Sequence, residues 1–547
     1  MLNGLTFGDR LRAAHRVLLS GMPRFALVCG GAGPGLVLGA GLGLLALGPG
    51  LRRGFLLSYD MVFVPREPFS AALPGLAPPR AVPSDLMVAV ASRILPGDVV
   101  QKIVLLAIFV LACGGMTALL DREPLLARLA AGTFYAWNPY VGERLIIGQW
   151  TLLLGYAGLP WVLRALLRSG QPLWRWSGWL CLALLPAVAS GFESMVITGL
   201  VVVPVVLFTR NAARISAALC VFVAGCLPWL IPSLRHAVYV DPASVAAFAA
   251  RADTPFGSVG SLVMLGGMWN STTVPKAYGG PVSAIWLAVV LVALAGYLAG
   301  ARSQRRWPGL GVAAVLGLLI ACLGVTAPGQ GLLRWLIGEA PGIAVFRDGQ
   351  QFVAPLALAE ACGCGVAVSW AMHSGEFWIK RTDSAGVMIA VFAVLAPVLL
   401  LPGLAWGAAG RLRPAWYPAG WLAAARTIDD SPVPGAALVL PWAADRTPSW
   451  NHGETMLDPW PRLLSRPVIW NDGTIVGNVA LAPDDPRARG LNALITSDRP
   501  LTGALTSAGV RFVLSDPDGP GQPVGSRLPG AVVVLSQPGL TVYRLPG

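Results

Sequence analysis

The sequence predicts a polytopic α-helical membrane protein of about eleven transmembrane helices, carrying a C-terminal extracytoplasmic α/β domain. Three observations lead there. Only 12% of the 547 residues are charged while 55% are hydrophobic, and the mean hydropathy is +0.65; soluble domains carry about 25% charged residues. Apolar runs long enough to cross a bilayer recur along the chain, with arginines gathered between them. After Trp406 the pattern changes: Asp, Asn, Pro and Gly rise and the apolar runs shorten.

The N-terminus holds Arg10, Arg12, Arg16 and Arg24, which place it in the cytoplasm. Its apolar stretch is too short for a signal peptide and lacks an A-x-A site. Spans then begin near Phe25, Val100, Leu125, Thr151, Trp176, Met195, Ile215, Val282, Leu310, Phe352 and Gly386. This count makes every inside turn basic: Arg122 and Arg128, then Arg164, Arg168 and Arg175, then Arg210 and Arg214, then Arg302, Arg305 and Arg306, then Lys380 and Arg381. Miscounting one span would invert all later turns. The outward loops 48–98, 232–280 and 326–351 are long, and loops of that length are usually functional. The net charge of +13 therefore reflects membrane topology. No basic stripe interleaved with exposed aromatics argues for nucleic acid.

Within the first loop, SDLMVAVASRIL (84–95) reads as a helix capped by Ser84 or Asp85, either lying along the interface or packed on the bundle. Residues 1–405 form the transmembrane domain and 406–547 the soluble one. In the latter, AALVLPW, RPVIW, VRFVLS, AVVVLS and LTVYRL look like buried strands, with ARGLNALI and PLTGALTSAG helical between them. The eight cysteines lie in or beside apolar runs and form no disulfide framework. The glycines of GGAGPGLVLGAGLGLL suit close helix packing. The sequence has no P-loop and no H-E-x-x-H, and its four histidines are scattered, so no transition-metal site is legible.

The candidate chemistry lies in the outward segments. Asp60, in LSYDMVFVP, follows the first span; a carboxylate there can take a proton from a hydroxyl, or merely solvate the loop. Glu143, Arg144 and Gln149 lie in NPYVGERLIIGQW, a polar stretch suited to a sugar or to a local ion pair. Glu193 sits in a tight outward turn. Arg347 and Asp348, just before the tenth span, suit a lipid-linked phosphate or an interfacial anchor. Lys276 and Tyr278 are candidates of the same kind. Trp442, Trp450 and Trp460 could stack on an acceptor sugar or fill the core of the soluble domain. Glu360, buried in the tenth span, either relays protons or stays neutral.

These features resemble a GT-C fold glycosyltransferase of the actinobacterial cell-envelope type. The resemblance rests on Tyr59-Asp60 after the first span, on Asn138 to Trp150, and on Phe346 to Gln351. It also rests on the stretches beginning at Leu438, Leu457 and Ala508. It implies a polyprenyl-phosphate sugar as donor, a glycan or glycolipid as acceptor, and a multi-pass bacterial plasma-membrane location. Under it, Asp60 is the general base of an inverting transfer, and Arg347, with Lys276 or Arg144, stabilises the departing phosphate. Arabinofuranose and mannose both fit as the sugar. Some relatives use an acid pair and a divalent metal; Tyr59-Asp60 stands in place of that pair, which leaves metal dependence open. The rival classes are a lipid or glycan flippase, which would show internal repeats that this sequence lacks, and a non-catalytic envelope scaffold, in which Asp60 would be dispensable.

Overall fold

The computed structural model describes residues 31–72, 82–234, 239–304, 307–378, 384–516 and 524–546. Seventeen helices are used below: α1 (Gly33–Leu47), α2 (Ser84–Ala91), α3 (Gly97–Leu119), α4 (Leu125–Ala136), α5 (Pro139–Ile147), α6 (Trp150–Leu167), α7 (Leu173–Ser190), α8 (Phe192–Leu207), α9 (Ala212–Ser233), α10 (Val282–Gln304), α11 (Leu310–Leu323), α12 (Ala327–Glu339), α13 (Ala354–Trp378), α14 (Ser384–Leu400), α15 (Ala419–Asp429), α16 (Pro486–Ile495) and α17 (Thr502–Ser507). The strands are β1 (Phe55–Leu56), β2 (Pro414–Ala415), β3 (Ala436–Leu440), β4 (Asp445–Arg446), β5 (Met456–Leu457), β6 (Val468–Ile469), β7 (Ile475–Val476), β8 (Val479–Ala480), β9 (Val510–Ser515), β10 (Val532–Gln537) and β11 (Leu540–Arg544).

The chain is a multi-pass membrane protein. Six of the described helices are long and apolar enough to cross a bilayer, or eight if two bent pairs each count as one span. That is fewer than the eleven crossings expected, although a helix begins within a few residues of each expected start from Val100 onward. Part of the difference lies in helix length. α4 has 12 residues and α8 has 16, both short of a straight crossing. The N-terminal arginines, Phe25, Cys29, Arg305, Arg306, Lys380 and Arg381 lie outside the described residues.

Large apolar side chains face outward along the helices, Val37, Leu319 and Phe392 among them. A continuous exposed apolar surface of this kind belongs against lipid. α13 is almost wholly buried at the centre, while α9 is almost wholly exposed at the rim. The glycines of α1 allow the close approach expected of them. A Cβ on Gly39 would lie 2.4 Å from the Phe109 carbonyl oxygen of α3, and one on Gly35 would lie 2.6 Å from that of Cys113.

Two expectations in the loops change. Segment 326–351 is not a plain loop. Thr326 caps α12 through its hydroxyl, with Pro328 in the first turn, and α12 folds back at 95° to α11. Helix α2 is present, but Pro83 takes its cap position with no side-chain cap, and Asp85 instead pairs with Arg462 at 3.1 Å. One side of α2, Val88 and Ala89, is buried, while Val90 is half exposed.

The C-terminal region carries a five-stranded sheet in the order β10-β11-β9-β3-β6, parallel at β6-β3-β9 and antiparallel at β9-β11-β10. Its alternation sorts side chains onto two faces. Ala437, Val439, Phe512, Leu514, Leu540 and Val542 join the same continuous core as the transmembrane helices. Leu438, Leu440, Val513 and Leu545 turn the other way, onto Ala488 and Leu491 of α16 and Leu505 of α17. The region is thus cemented to the helices, and β2 pairs with β1 of the first loop, Phe55 against Ala415.

Candidate active site

The site is built around α5, a nine-residue helix whose every residue is buried. Its start is fixed by Asn138. The side-chain oxygen accepts the Val141 amide at 3.0 Å, while the side-chain nitrogen donates to the Phe134 and Tyr135 carbonyls at the end of α4. One amide thus satisfies the termini of two helices, and Pro139 follows in the first helical position. Gly148, at φ +88°, ends α5 in the left-handed conformation that glycine adopts without strain. No larger residue fits there: a Cβ would lie 2.2 Å from the Met61 nitrogen and 2.4 Å from the Ser58 oxygen.

That close approach sets Asp60 in place. The turn Ser58–Met61 lies on the end of α5. The Ser58 hydroxyl donates to the Ile146 carbonyl at 2.6 Å and the Asp60 amide to that of Ile147 at 3.0 Å. On its other side, the Tyr59 amide donates to Thr455 and the Leu457 amide to Tyr59, at 2.7 and 2.8 Å. Tyr59 takes φ +44° at the tip. Asp60 is exposed, on a turn clamped between α5 and β5.

Three further segments close around it. The Ser194 hydroxyl of α8 donates to the Thr151 carbonyl of α6 at 3.1 Å, which fixes the start of α8, with Glu193, on the start of α6. Glu193 lies in electrostatic reach of Asp348, Asp60, Arg347 and Arg144. The 346–351 corner docks on α5 where the Tyr140 hydroxyl donates to the Gln351 carbonyl at 2.9 Å. Arg347 donates to the Ser244 hydroxyl at 3.1 Å and stacks over Phe248. Gln350 donates to Asp348. Burial pushes the Asp348 carboxyl above the usual carboxylate range, while Arg144, Arg347 and the amides of Gln350 and Gln149 pull it back.

Arg144 lies over the Tyr140 ring, 3.7 Å from its centroid, with the Glu143 carboxylate also at 3.7 Å. Behind them stands Asp253, which the sequence reading missed. It accepts the Gly267 amide and, at 3.0 Å, the Met268 amide. Burial pushes its carboxyl above the usual carboxylate range, while these amides and Arg144 pull it back. Glu143 faces it outside hydrogen-bond geometry; burial first, and then the Asp253 charge, push Glu143 well above its ordinary value, against the pull of Arg144. Tyr278 is fully buried beside both acids, with its hydroxyl donating to Met264 at 3.1 Å.

The structure thus gathers Asp60, Glu143, Arg144, Gln149, Glu193, Tyr278, Arg347 and Asp348. It leaves Lys276 exposed, its backbone against Gly403. The tryptophans are elsewhere. Trp460 is fully buried and stacked on Trp421 at 4.7 Å, Trp450 packs on Tyr417 at 5.3 Å, and half-buried Trp442 donates to Asn492 at 2.8 Å. Trp460 presents no face to a ligand. Several buried polar atoms of the cluster, Arg144 Nε and the side-chain oxygens of Gln149, Gln350 and Gln351, have no hydrogen-bond partner among the described residues. Such atoms are costly to bury unless something else satisfies them. Among the described residues, no three His, Cys, Asp or Glu side chains are grouped to hold a metal ion. Two cavities lie away from this cluster, one beside Trp406 and His452 and the other at the far end of α6.

The fold is that of the GT-C membrane glycosyltransferases. Cryo-EM structures of the arabinofuranosyltransferase AftD from Mycobacteria align with it. One aligns at a TM-score of 0.56 and 17% identity over 96% of this chain, and a mutant of the same protein at 0.58 and 16% over 94%. This chain spans 40% of the first of those chains and 41% of the second. A weaker likeness, at a TM-score of 0.45 and 14% identity over 93% of this chain and 97% of the other, is to ArnT from Cupriavidus metallidurans bound to undecaprenyl phosphate. No family model and no curated protein matches the sequence.

Proposed function

We propose that this protein transfers a sugar from a polyprenyl-phosphate donor to a cell-envelope glycan or lipid acceptor on the extracytoplasmic face of the plasma membrane. The observation that carries the reading is the meeting of the clamped Asp60 turn with the Arg144 and Arg347 guanidiniums at one end of the bundle. The orientation is supported by the arginines in the turns at the other helix ends, Arg164, Arg168, Arg210 and Arg214 among them. Likeness of fold to an arabinofuranosyltransferase favours arabinofuranose as the sugar.

In this reading Asp60 takes the proton of the acceptor hydroxyl as its oxygen bonds to the anomeric carbon. The bond from that carbon to the phosphate oxygen breaks, the lipid phosphate leaves with the electron pair, and the anomeric centre inverts. Arg347 and Arg144 stabilise the charge on the departing phosphate. Glu143, 3.7 Å from Arg144 and with its carboxyl pushed up by burial, helps to fix the guanidinium. The unsatisfied oxygens of Gln149 and Gln350 accept hydrogen bonds from sugar hydroxyls.

Turnover of synthetic polyprenyl-phosphate arabinofuranose by Asp60→Asn tests this. A general base is worth about 10²–10⁴-fold, so a loss of that size is expected in a folded protein. Activity within a few-fold of wild type would remove Asp60 from the role.

A further inference from the structure

The far end of α6 holds a second concave site. The eighteen residues of α6, at 1.5 Å each, span about 27 Å between Gln149 at one end and Arg168 at the other, close to the thickness of a hydrocarbon core. There a cavity of about 210 Å³ opens between α3, α6 and α7, walled by Leu111, Trp161, Arg164, Arg168, Trp179 and Leu182. The walls are fixed. Trp161 donates its indole N–H to the Leu111 carbonyl at 2.9 Å, and Arg164 donates through Nε to the Ala118 carbonyl at 2.8 Å. The Arg168 guanidinium lies over Trp179, 4.1 Å from the ring centroid. Arg214 reaches the rim, donating to the Arg168 carbonyl at 3.1 Å.

Arg164 and Arg168 stand one helical turn apart and within electrostatic reach of each other. Like charges in that relation repel; the half-exposed Asp121 carboxylate, 4.0 Å from Arg164, offsets this only in part, so a further anion beside Arg168 is favoured over water. Leu182 is 58% exposed on the outer wall, so the groove opens sideways into the hydrocarbon. An occupant with a charged head and an apolar tail matches both features. Lateral opening between spans excludes a soluble acidic protein as the better fit. We propose that this groove binds an anionic phospholipid, its phosphate between the two arginines and an acyl chain along Leu111 and Leu182.

Native mass spectrometry of the detergent-purified protein, titrated with phosphatidylglycerol or phosphatidylcholine, reads this directly. Wild type should bind phosphatidylglycerol about tenfold more tightly, one charge-assisted contact's worth. Arg168→Gln should reduce that preference below about threefold, and Arg164→Gln likewise. Arg302→Gln, which removes an exposed cation from the end of α10, should leave it intact. Equal binding of the two lipids by wild type would overturn the proposal. So would a preference that survives in both groove variants, or one that Arg302→Gln lowers as much as they do, since diffuse charge would then explain it.

Discussion

The Asp60 amide donates to the Ile147 carbonyl at 3.0 Å, main chain to main chain, at the last residue of α5. The carboxylate of the first loop is thereby tied to the helix that carries Arg144, and the spacing between them does not depend on flexible side chains. The contact is possible because residue 148 lacks a Cβ.

Gly148→Ala should therefore break the site from beneath. The left-handed backbone costs a non-glycine residue about 1–2 kcal/mol, and the methyl would also push the Ser58–Met61 turn away. A displacement near 1 Å at a reacting group can cost about 10²-fold, so turnover per folded molecule should fall by that order. Gly170→Ala is the control, with φ +71° and nothing within 4 Å of its added Cβ. If the two variants turn over alike, the turn does not position Asp60.

Arg347 is the next test. Its Ser244 hydrogen bond and its stacking on Phe248 anchor it in the loop before α10. A phosphate contact from an arginine of this kind is worth about 1.5–3 kcal/mol, so Arg347→Ala should weaken donor binding about tenfold or more. Arg347→Lys should lose less, keeping the charge but not the fork. A lower melting temperature with unchanged donor affinity would reduce Arg347 to a loop anchor.

Trp460→Ala should act on stability instead. The indole is fully buried against Trp421, and removing a buried aromatic of this size costs about 3–5 kcal/mol. Thermal unfolding in detergent should show a clear drop, with acceptor affinity per folded molecule unchanged. A lost affinity without lost stability would return Trp460 to the ligand.

How much of this was legible depends on where each residue's partner lies. The central strands of the sheet show in the sequence because they are mostly buried, leaving largely apolar runs such as 436–440 and 510–515; β10, expected to be buried, is an edge strand with Val532 and Val533 half exposed. Glu143 and Arg144 stand out because they are polar within an apolar stretch. Asp253 does not, because its meaning comes from Glu143, more than a hundred residues earlier, and from two amides of its own loop. The direction of an indole is likewise unreadable: Trp460 is inward only because α15 brings Trp421 to it. The helix after Thr326 was not legible as one, because a cap and a proline start it at 95° to α11 within what reads as a loop.

Glu67 predicts a pH dependence of folding. It lies 1% exposed in the first loop, beside Asp85 of α2 and with Arg462 of the C-terminal region 3.8 Å away. Burial, and then the Asp85 charge, push its carboxyl up to about 9, against the pull of Arg462. An unfolded glutamate titrates near 4.3. Between those values the folded protein holds a proton that the unfolded chain has released, so stability falls as pH rises through that window. Wild type should melt lower at about pH 8.5 than at about pH 5.5. Glu67→Gln keeps the neutral shape and removes the titration, so its margin over wild type should be small at the lower pH and larger at the higher. An unchanged pH slope in the variant would mean that Glu67 is already ionised in the fold, and that the Asp85–Arg462 contact stabilises its charge.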